Sequence, residues 1–197
     1  MSTNSVAVRM DYFFGKGEML KLSKFDPDSL KPGRLSLFVA RRGSGKSVLC
    51  RQLANSIATS TVEGKLVPVV MPVFQLSQGM KEKIAAEKMS RSTMFGRMRR
   101  RASKPMSKPG EKEDLLDQCF KSTMSPLRYN LLTQLRRQKR LLIILDGLDE
   151  VNPLTKVPIE DYITKTLVHE LPVIVTSRSE EGTFDTAKFR NFQHLYV

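Results

Sequence analysis

Cysteine is scarce here: only Cys50 and Cys119 occur among 197 residues. They fall at no metal-ligand spacing and have no close histidine, so the expectation is two free thiols in a reducing compartment. Histidine is equally rare. His169 and His194 lie far from every motif below and lack an acidic or cysteine partner at metal spacing, as expected of surface or capping residues. Long hydrophobic runs are missing too, since none approaches the roughly 18 residues of a membrane-spanning helix. The opening MSTNSVAVRMDYFF lacks the apolar segment of a secretory signal. These absences leave no membrane partner to expect and point by elimination to the cytosol or nucleus, with the cytoplasm as the assigned location. There is no internal repeat and no ordering that suggests a Ser-His-Asp nucleophile, and the ten methionines are scattered as packing and loop residues.

What is present is a globular composition, 40% apolar and 27% charged, long enough for one domain with a substantial core. The net charge of +13 is uneven. Residues 81–112 hold eleven Lys and Arg against three Glu, which is +8 and leaves +5 for the rest of the chain. Short apolar runs alternate with amphipathic stretches. LSLFVA (35–40), LLIIL (141–145) and LPVIVTS (171–177) are apolar nearly throughout, as strands buried on both faces must be. VPVVMPVFQL (67–76) is a further strand whose two prolines favour a sheet edge, and the terminal HLYV is a fifth. Helices are expected over 47–60, where Val48, Leu49, Leu53 and Ile57 share a face, over 127–139 from Leu127, Leu131, Leu132 and Leu135, and at about 158–169.

Strands alternating with helices predict an α/β fold: three layers around a central parallel sheet of about five strands. Residues 1–34 form a lead-in and 35–197 the core. The stretch 78–126, containing GRMRRRASKPMSKPGEKED (96–114), is expected as an exposed basic insertion with a short helix at 79–90.

The chemistry concentrates in two stretches. VARRGSGKSVL (39–49) sets a glycine-rich turn between a strand and a helix. Such a turn aims backbone N–H groups at an anion, and the helix N-terminus adds its positive dipole end. Arg42, Gly43, Ser44, Gly45, Lys46, Ser47 and Val48 are the expected nucleotide-binding residues. Lys46 can reach the β- and γ-phosphates and the Ser47 hydroxyl can ligate Mg2+. A surface Gly/Ser turn ahead of a lysine is the bland alternative. The pattern GxxxxGK(S/T) places its first glycine at position 40, where this chain has Ala40, which disfavours positive φ. One hundred residues after Lys46, LLIILDGLDE (141–150) runs from a buried strand into three carboxylates. Asp146, at the strand's end, suits a Mg2+ held opposite Ser47, and Asp149 and Glu150 suit activation of a water. A solvated turn capping a helix would explain the acids alone, though not their coincidence with the glycine loop. A further strand ends in Thr176, Ser177 and Arg178, placing Arg178 on the ligand-binding edge of a parallel sheet.

In that order, ARRGSGKSVLCRQLA, VPVVMPVFQL, RLLIILDGLDEV and VIVTSRSEE resemble the NACHT family of signal-transduction NTPases, the DGLDE and TSR elements being the more specific. The resemblance spans about residues 30–197, with 78–126 matching least. It implies a five-stranded sheet with the metal-binding strand third in sequence, ATP or GTP with Mg2+ as cofactors, and a switch that self-associates with like or other signalling chains and hydrolyses slowly. By the same resemblance Lys46 and Ser47 hold triphosphate and metal, Asp146 holds the metal, Asp149 and Glu150 serve hydrolysis, and Arg178 is the sensor arginine. Family members usually continue into further helical, winged-helix and repeat segments, so a fragment of a larger protein is one expectation and a minimal NTPase the other.

Two other readings stay open. A nucleic-acid-associated ATPase would use the basic segment 96–108, where Arg99, Arg100, Arg101, Lys104 and Lys108 could contact phosphates. Phe95 is the only aromatic among residues 81–112, which gives base stacking little support. RRGSGKS also resembles viral DNA-packaging ATPases, whereas DGLDE does not. The other reading is a module that binds nucleotide for oligomerisation without hydrolysing it. The RRRAS run, finally, resembles a basophilic kinase site at Ser103, where phosphate would add about −1.5 to −2 charges.

Overall fold

The computed structural model describes residues 30–59, 66–96, 114–180, 183–190 and 192–196. Five parallel strands form one sheet: β1 (Leu35–Ala40), β2 (Val67–Pro72), β3 (Leu141–Asp146), β4 (Val173–Arg178) and β5 (Gln193–Tyr196), in spatial order β2-β3-β4-β1-β5. β1, β3 and β4 lie inside the sheet and are the three runs that the sequence makes continuously apolar. Their side chains alternate between two cores. On one face Phe38, Leu142, Ile144 and Ile174 pack against Cys50, Leu53 and Ile57 of helix α1 (Lys46–Thr59). On the other, Leu37, Val39, Ile143, Leu145, Val173 and Val175 meet helices α2 (Val73–Gly96), α3 (Leu115–Thr123), α4 (Pro126–Arg137) and α5 (Pro153–Tyr162). The result is the three-layer α/β arrangement expected from the strand–helix alternation.

Several local expectations need correction. The apolar stretch 67–76 is not one strand, because β2 stops at Pro72 and Val73 starts α2. The prolines do mark an edge, since β2 pairs with β3 alone. The helix expected at 79–90 is the middle of α2. Five of the eight predicted inward residues are buried: Val48, Leu127 and Leu131 are exposed, and Cys50 takes the inward place expected of Val48. The third predicted helix starts five residues early, at Pro153, where the Asn152 side chain accepts from the Leu154 N–H at 3.0 Å and caps it. It continues through a π-turn over Ile163–Leu167 into α6 (Val168–Glu170). A short α7 (Thr186–Phe189) precedes β5.

The stretch 78–126, expected to stay outside the core, enters it from both flanks. Met80 is buried, as are Leu115, Leu116, Cys119 and Phe120 of α3. Polar contacts hold α3 in place. The Cys119 thiol donates to the Gln75 carbonyl at 3.4 Å, and the Tyr162 hydroxyl bonds Asp114. Arg136 joins Asp114 at 2.8 Å, Asp117 at 3.0 Å and Glu170. The middle of the stretch, 97–113, with its arginine run and Ser103, lies outside the described residues, as does 1–29 of the lead-in.

Candidate functional site

The glycine loop leaves β1 at Ala40. This residue is extended, fully buried and in register with Arg178 of β4, and its carbonyl accepts from the Ser179 N–H at 3.2 Å. Position 40 therefore needs no left-handed backbone, and alanine fits. The left-handed conformations fall instead on Gly43 (φ 76°) and Gly45 (φ 83°). The Ser44 N–H closes a turn onto the Arg41 carbonyl at 3.2 Å, and the Leu49 N–H makes the first helical bond, to Gly45 at 2.9 Å. The amides of the first turn, including Lys46, Ser47 and Val48, are thus left facing the loop, as at any helix start. Lys46 Nζ folds back to the Arg41 carbonyl at 3.4 Å. The Ser44 hydroxyl is buried with no protein partner among the described residues. Orphaned donors around a half-exposed lysine make a cradle that fits a polyphosphate.

β3 delivers the acids to the same edge. Asp146 Oδ1 accepts from the Thr176 hydroxyl at 2.7 Å, and Thr176 Oγ1 in turn accepts from the Gly147 N–H at 3.0 Å. The Cys50 thiol lies 3.9 Å from the same Asp146 oxygen. Burial first, and the Asp146 carboxylate second, push that thiol up to about 12, so it stays a neutral donor. Gly147 turns the chain at φ 82°, and Leu148–Glu150 form a single 3-10 turn. That turn separates the two remaining acids. The Asp149 side chain is 3% exposed and joins Arg178, with Nε to Oδ2 at 2.6 Å and the Arg178 N–H to Oδ1 at 3.1 Å. Glu150 is exposed, its carboxyl group beside the Gly147 backbone.

Among the described residues no group of three or more His, Cys, Asp or Glu could hold a metal ion. A hydroxyl at Ser47 and a carboxylate at Asp146 do fit Mg2+, which commonly takes one or two protein oxygens and fills its shell with phosphate and water.

The sequence matches the NACHT domain family over residues 34–197. This chain belongs to the NACHT family. It is accordingly a nucleotide-binding P-loop NTPase domain. No curated protein matches the sequence. Among solved structures, C. elegans PCH-2 is similar with a TM-score of 0.40 and 14% identity, over 89% of this chain and 38% of that one. This chain therefore spans well under half the length of that protein.

In this NACHT domain the loop residues 42–48, Asp146, Asp149, Glu150 and Arg178 all stand at the carboxyl edge of the sheet, as the motifs predict. Thr176 went unrecognised as a site residue, although it sits at the centre of the hydrogen bonds around Asp146. A threonine in a strand carries no signal by itself, and its partner is 30 residues away. The β3–β4 ladder ends at Leu145 and Val175, just before Thr176. Beyond that point the two strands are joined by the Thr176–Asp146 and Arg178–Asp149 side-chain contacts. A separate cavity of about 890 Å3 opens at the opposite, amino edge, among Arg136, Arg137, Lys139, Glu170 and their neighbours. It contains none of the motif residues. No described helix is long and apolar enough to cross a membrane.

Proposed function

We propose that the domain binds ATP or GTP together with Mg2+ and hydrolyses it slowly, acting as a self-associating switch in a cytoplasmic signalling protein. The observation that carries this reading is the meeting of Lys46, Asp146 and Arg178 at one sheet edge, around a loop whose buried Ser44 hydroxyl has no protein partner among the described residues. The amides at the start of α1 and the Lys46 ammonium would bind the β- and γ-phosphates. Ser47 and Asp146 would hold Mg2+, which when bound neutralises charge on the phosphate oxygens. Thr176 fixes one oxygen of Asp146 and leaves the other for that task. Glu150, exposed beside the turn, is the carboxylate free to orient an attacking water. Arg178 faces the phosphate end. Slow turnover would let the triphosphate-bound state persist. Self-association is supported by Leu154 (85% exposed) and Val157 (59% exposed), apolar side chains one turn apart on α5, just past Glu150.

The test measures equilibrium binding of ATP and GTP, and phosphate release, with and without Mg2+. Lys46→Ala is expected to weaken triphosphate binding at least about tenfold, a loss of about 1.4 kcal/mol. Glu150→Gln is expected to spare binding and suppress release. An intact chain that binds neither nucleotide refutes the proposal. Binding without release in any condition would leave a non-hydrolysing nucleotide module.

A further inference from the structure

The two neighbouring acids of the DGLDE turn, Asp149 and Glu150, face different surroundings. A general base must reach water and the proton it removes. Glu150 can, because it is exposed. The Asp149 side chain is 3% exposed and both its oxygens are engaged by one residue: Oδ2 forms an ion pair with Arg178 Nε at 2.6 Å, and Oδ1 accepts from the Arg178 backbone N–H at 3.1 Å.

We infer that Asp149 is a positioning residue whose task is to aim Arg178 at the γ-phosphate, so that discrimination between nucleoside triphosphate and diphosphate depends on this pair. The inference rests on the NTPase reading above and assigns a role within the same site.

Its physical basis is the two-point grip. A carboxylate bonded to both the backbone and the Nε of one arginine closes a ring, which fixes the side-chain torsions and the plane of the guanidinium. One terminal nitrogen shares the Nε edge of the planar guanidinium, and the other lies on the side turned away from Asp149. Neither has a protein partner among the described residues, and the side chain is 31% exposed. Arg178 is in register with Ala40, the residue from which the glycine loop departs, so the strand end that carries it stands beside the phosphate cradle. A terminal phosphoryl group there would meet a guanidinium whose plane is already fixed, with little side-chain entropy left to lose. The grip also lies past Leu145 and Val175, where backbone pairing of β3 with β4 ends, so no β3–β4 ladder bond substitutes for it. Removing the carboxylate charge leaves Arg178 free to swing.

The experiment compares the affinities of a non-hydrolysable triphosphate and the matching diphosphate, with Mg2+, for the full chain and four variants. The intact protein is expected to prefer the triphosphate. Arg178→Gln and Asp149→Asn are each expected to reduce that preference by a similar factor, about tenfold or more. The double variant should lose no more than either single one, since both remove the same interaction. Glu150→Gln should keep the preference and lose phosphate release. Asp149→Asn that retains the full preference while phosphate release disappears overturns the inference, because it makes Asp149 a base. An intact chain that binds both nucleotides equally overturns it as well. An intact chain that binds neither overturns the NTPase reading itself, so the two failures are distinct. If Asp149→Asn does not fold, Arg178→Lys decides. It keeps the charge but has no Nε–H, so it is expected to lose the preference, and retention overturns the inference.

Discussion

Replacing Thr176 with valine tests whether the Asp146 carboxylate is held by its neighbour strand. Valine has nearly the shape of threonine, so the fully buried position stays filled. What disappears is one oxygen with two hydrogen bonds, the donation to Asp146 at 2.7 Å and the acceptance from the Gly147 N–H at 3.0 Å. A bond to a carboxylate contributes roughly 1.5–3 kcal/mol, and stranding a buried amide costs roughly 1–3 kcal/mol. Taking the lower half of each range gives about 3 kcal/mol, within the 5–15 kcal/mol or so that typical domains have. The variant should therefore fold, with its Tm lowered by about 6–12 °C for a chain of this size. Asp146 Oδ1 would keep only the Cys50 thiol, at 3.9 Å, and the carboxylate could rotate. Mg2+-dependent nucleotide affinity should fall about tenfold, or 1.4 kcal/mol. Thr176→Ser is the control: it keeps the oxygen, loses one methyl group and should cost about 1 kcal/mol. Thermal unfolding and a Mg2+ titration of nucleotide binding read both effects. Equal Tm values and equal Mg2+ dependence for the valine and serine variants would refute the reasoning.

Two further outcomes are expected. Ala40→Gly restores the usual glycine of the loop pattern, but position 40 is an extended strand residue, so nucleotide affinity should not change. Stability should drop by roughly 0.5–1 kcal/mol, and a gain in affinity would show that the loop requires a different conformation there. Burial pushes the Cys50 thiol up to about 12 and the Cys119 thiol up to about 11, against an ordinary value of 9.0; nearby carboxylates, Asp146 for Cys50 and Asp114 and Glu82 for Cys119, add to the effect. Both are raised on folding, so their contribution is complete below pH 9 and is lost as pH climbs toward 11 and 12, at about 1.4 kcal/mol per unit for each thiol. Unfolding midpoints from pH 7 to 10.5 should fall only above pH 9, and a thiol reagent at pH 8 should count two cysteines only after denaturation. Prompt labelling of the native chain would contradict the buried, protonated state.

The inner sheet was legible because strands buried on both faces must be apolar at nearly every position, as LSLFVA, LLIIL and LPVIVTS are. The glycine loop was legible because its geometry demands particular residues at fixed spacing. Helix α3 was not. Its inward residues Leu115, Leu116, Cys119 and Phe120 have helical spacing, but nine residues directly after a basic Ser/Pro-rich run give a weak periodic signal. The end of β2 was missed because apolar character continues through Pro72 into Val73, where the period changes and the hydrophobicity does not. At the site, DGLDE identified three acids without indicating which one turns inward. That depends on the left-handed Gly147 and on the 3-10 turn, which rotates Asp149 toward β4 and leaves Glu150 outside.

The strand order has a consequence for synthesis. β1, which launches the phosphate loop, has only β4 and β5 as neighbours, and its first pairing joins Leu35 to Val173, 138 residues later (173 − 35). At about 5–20 residues per second, a ribosome needs roughly 7 to 28 s to make that stretch. Throughout it, an apolar strand with both edges unpaired waits beside its finished helix α1. Nascent chains of this domain should therefore depend on holding chaperones until β4 emerges, and a ribosome stalled before residue 173 should leave the phosphate loop unformed.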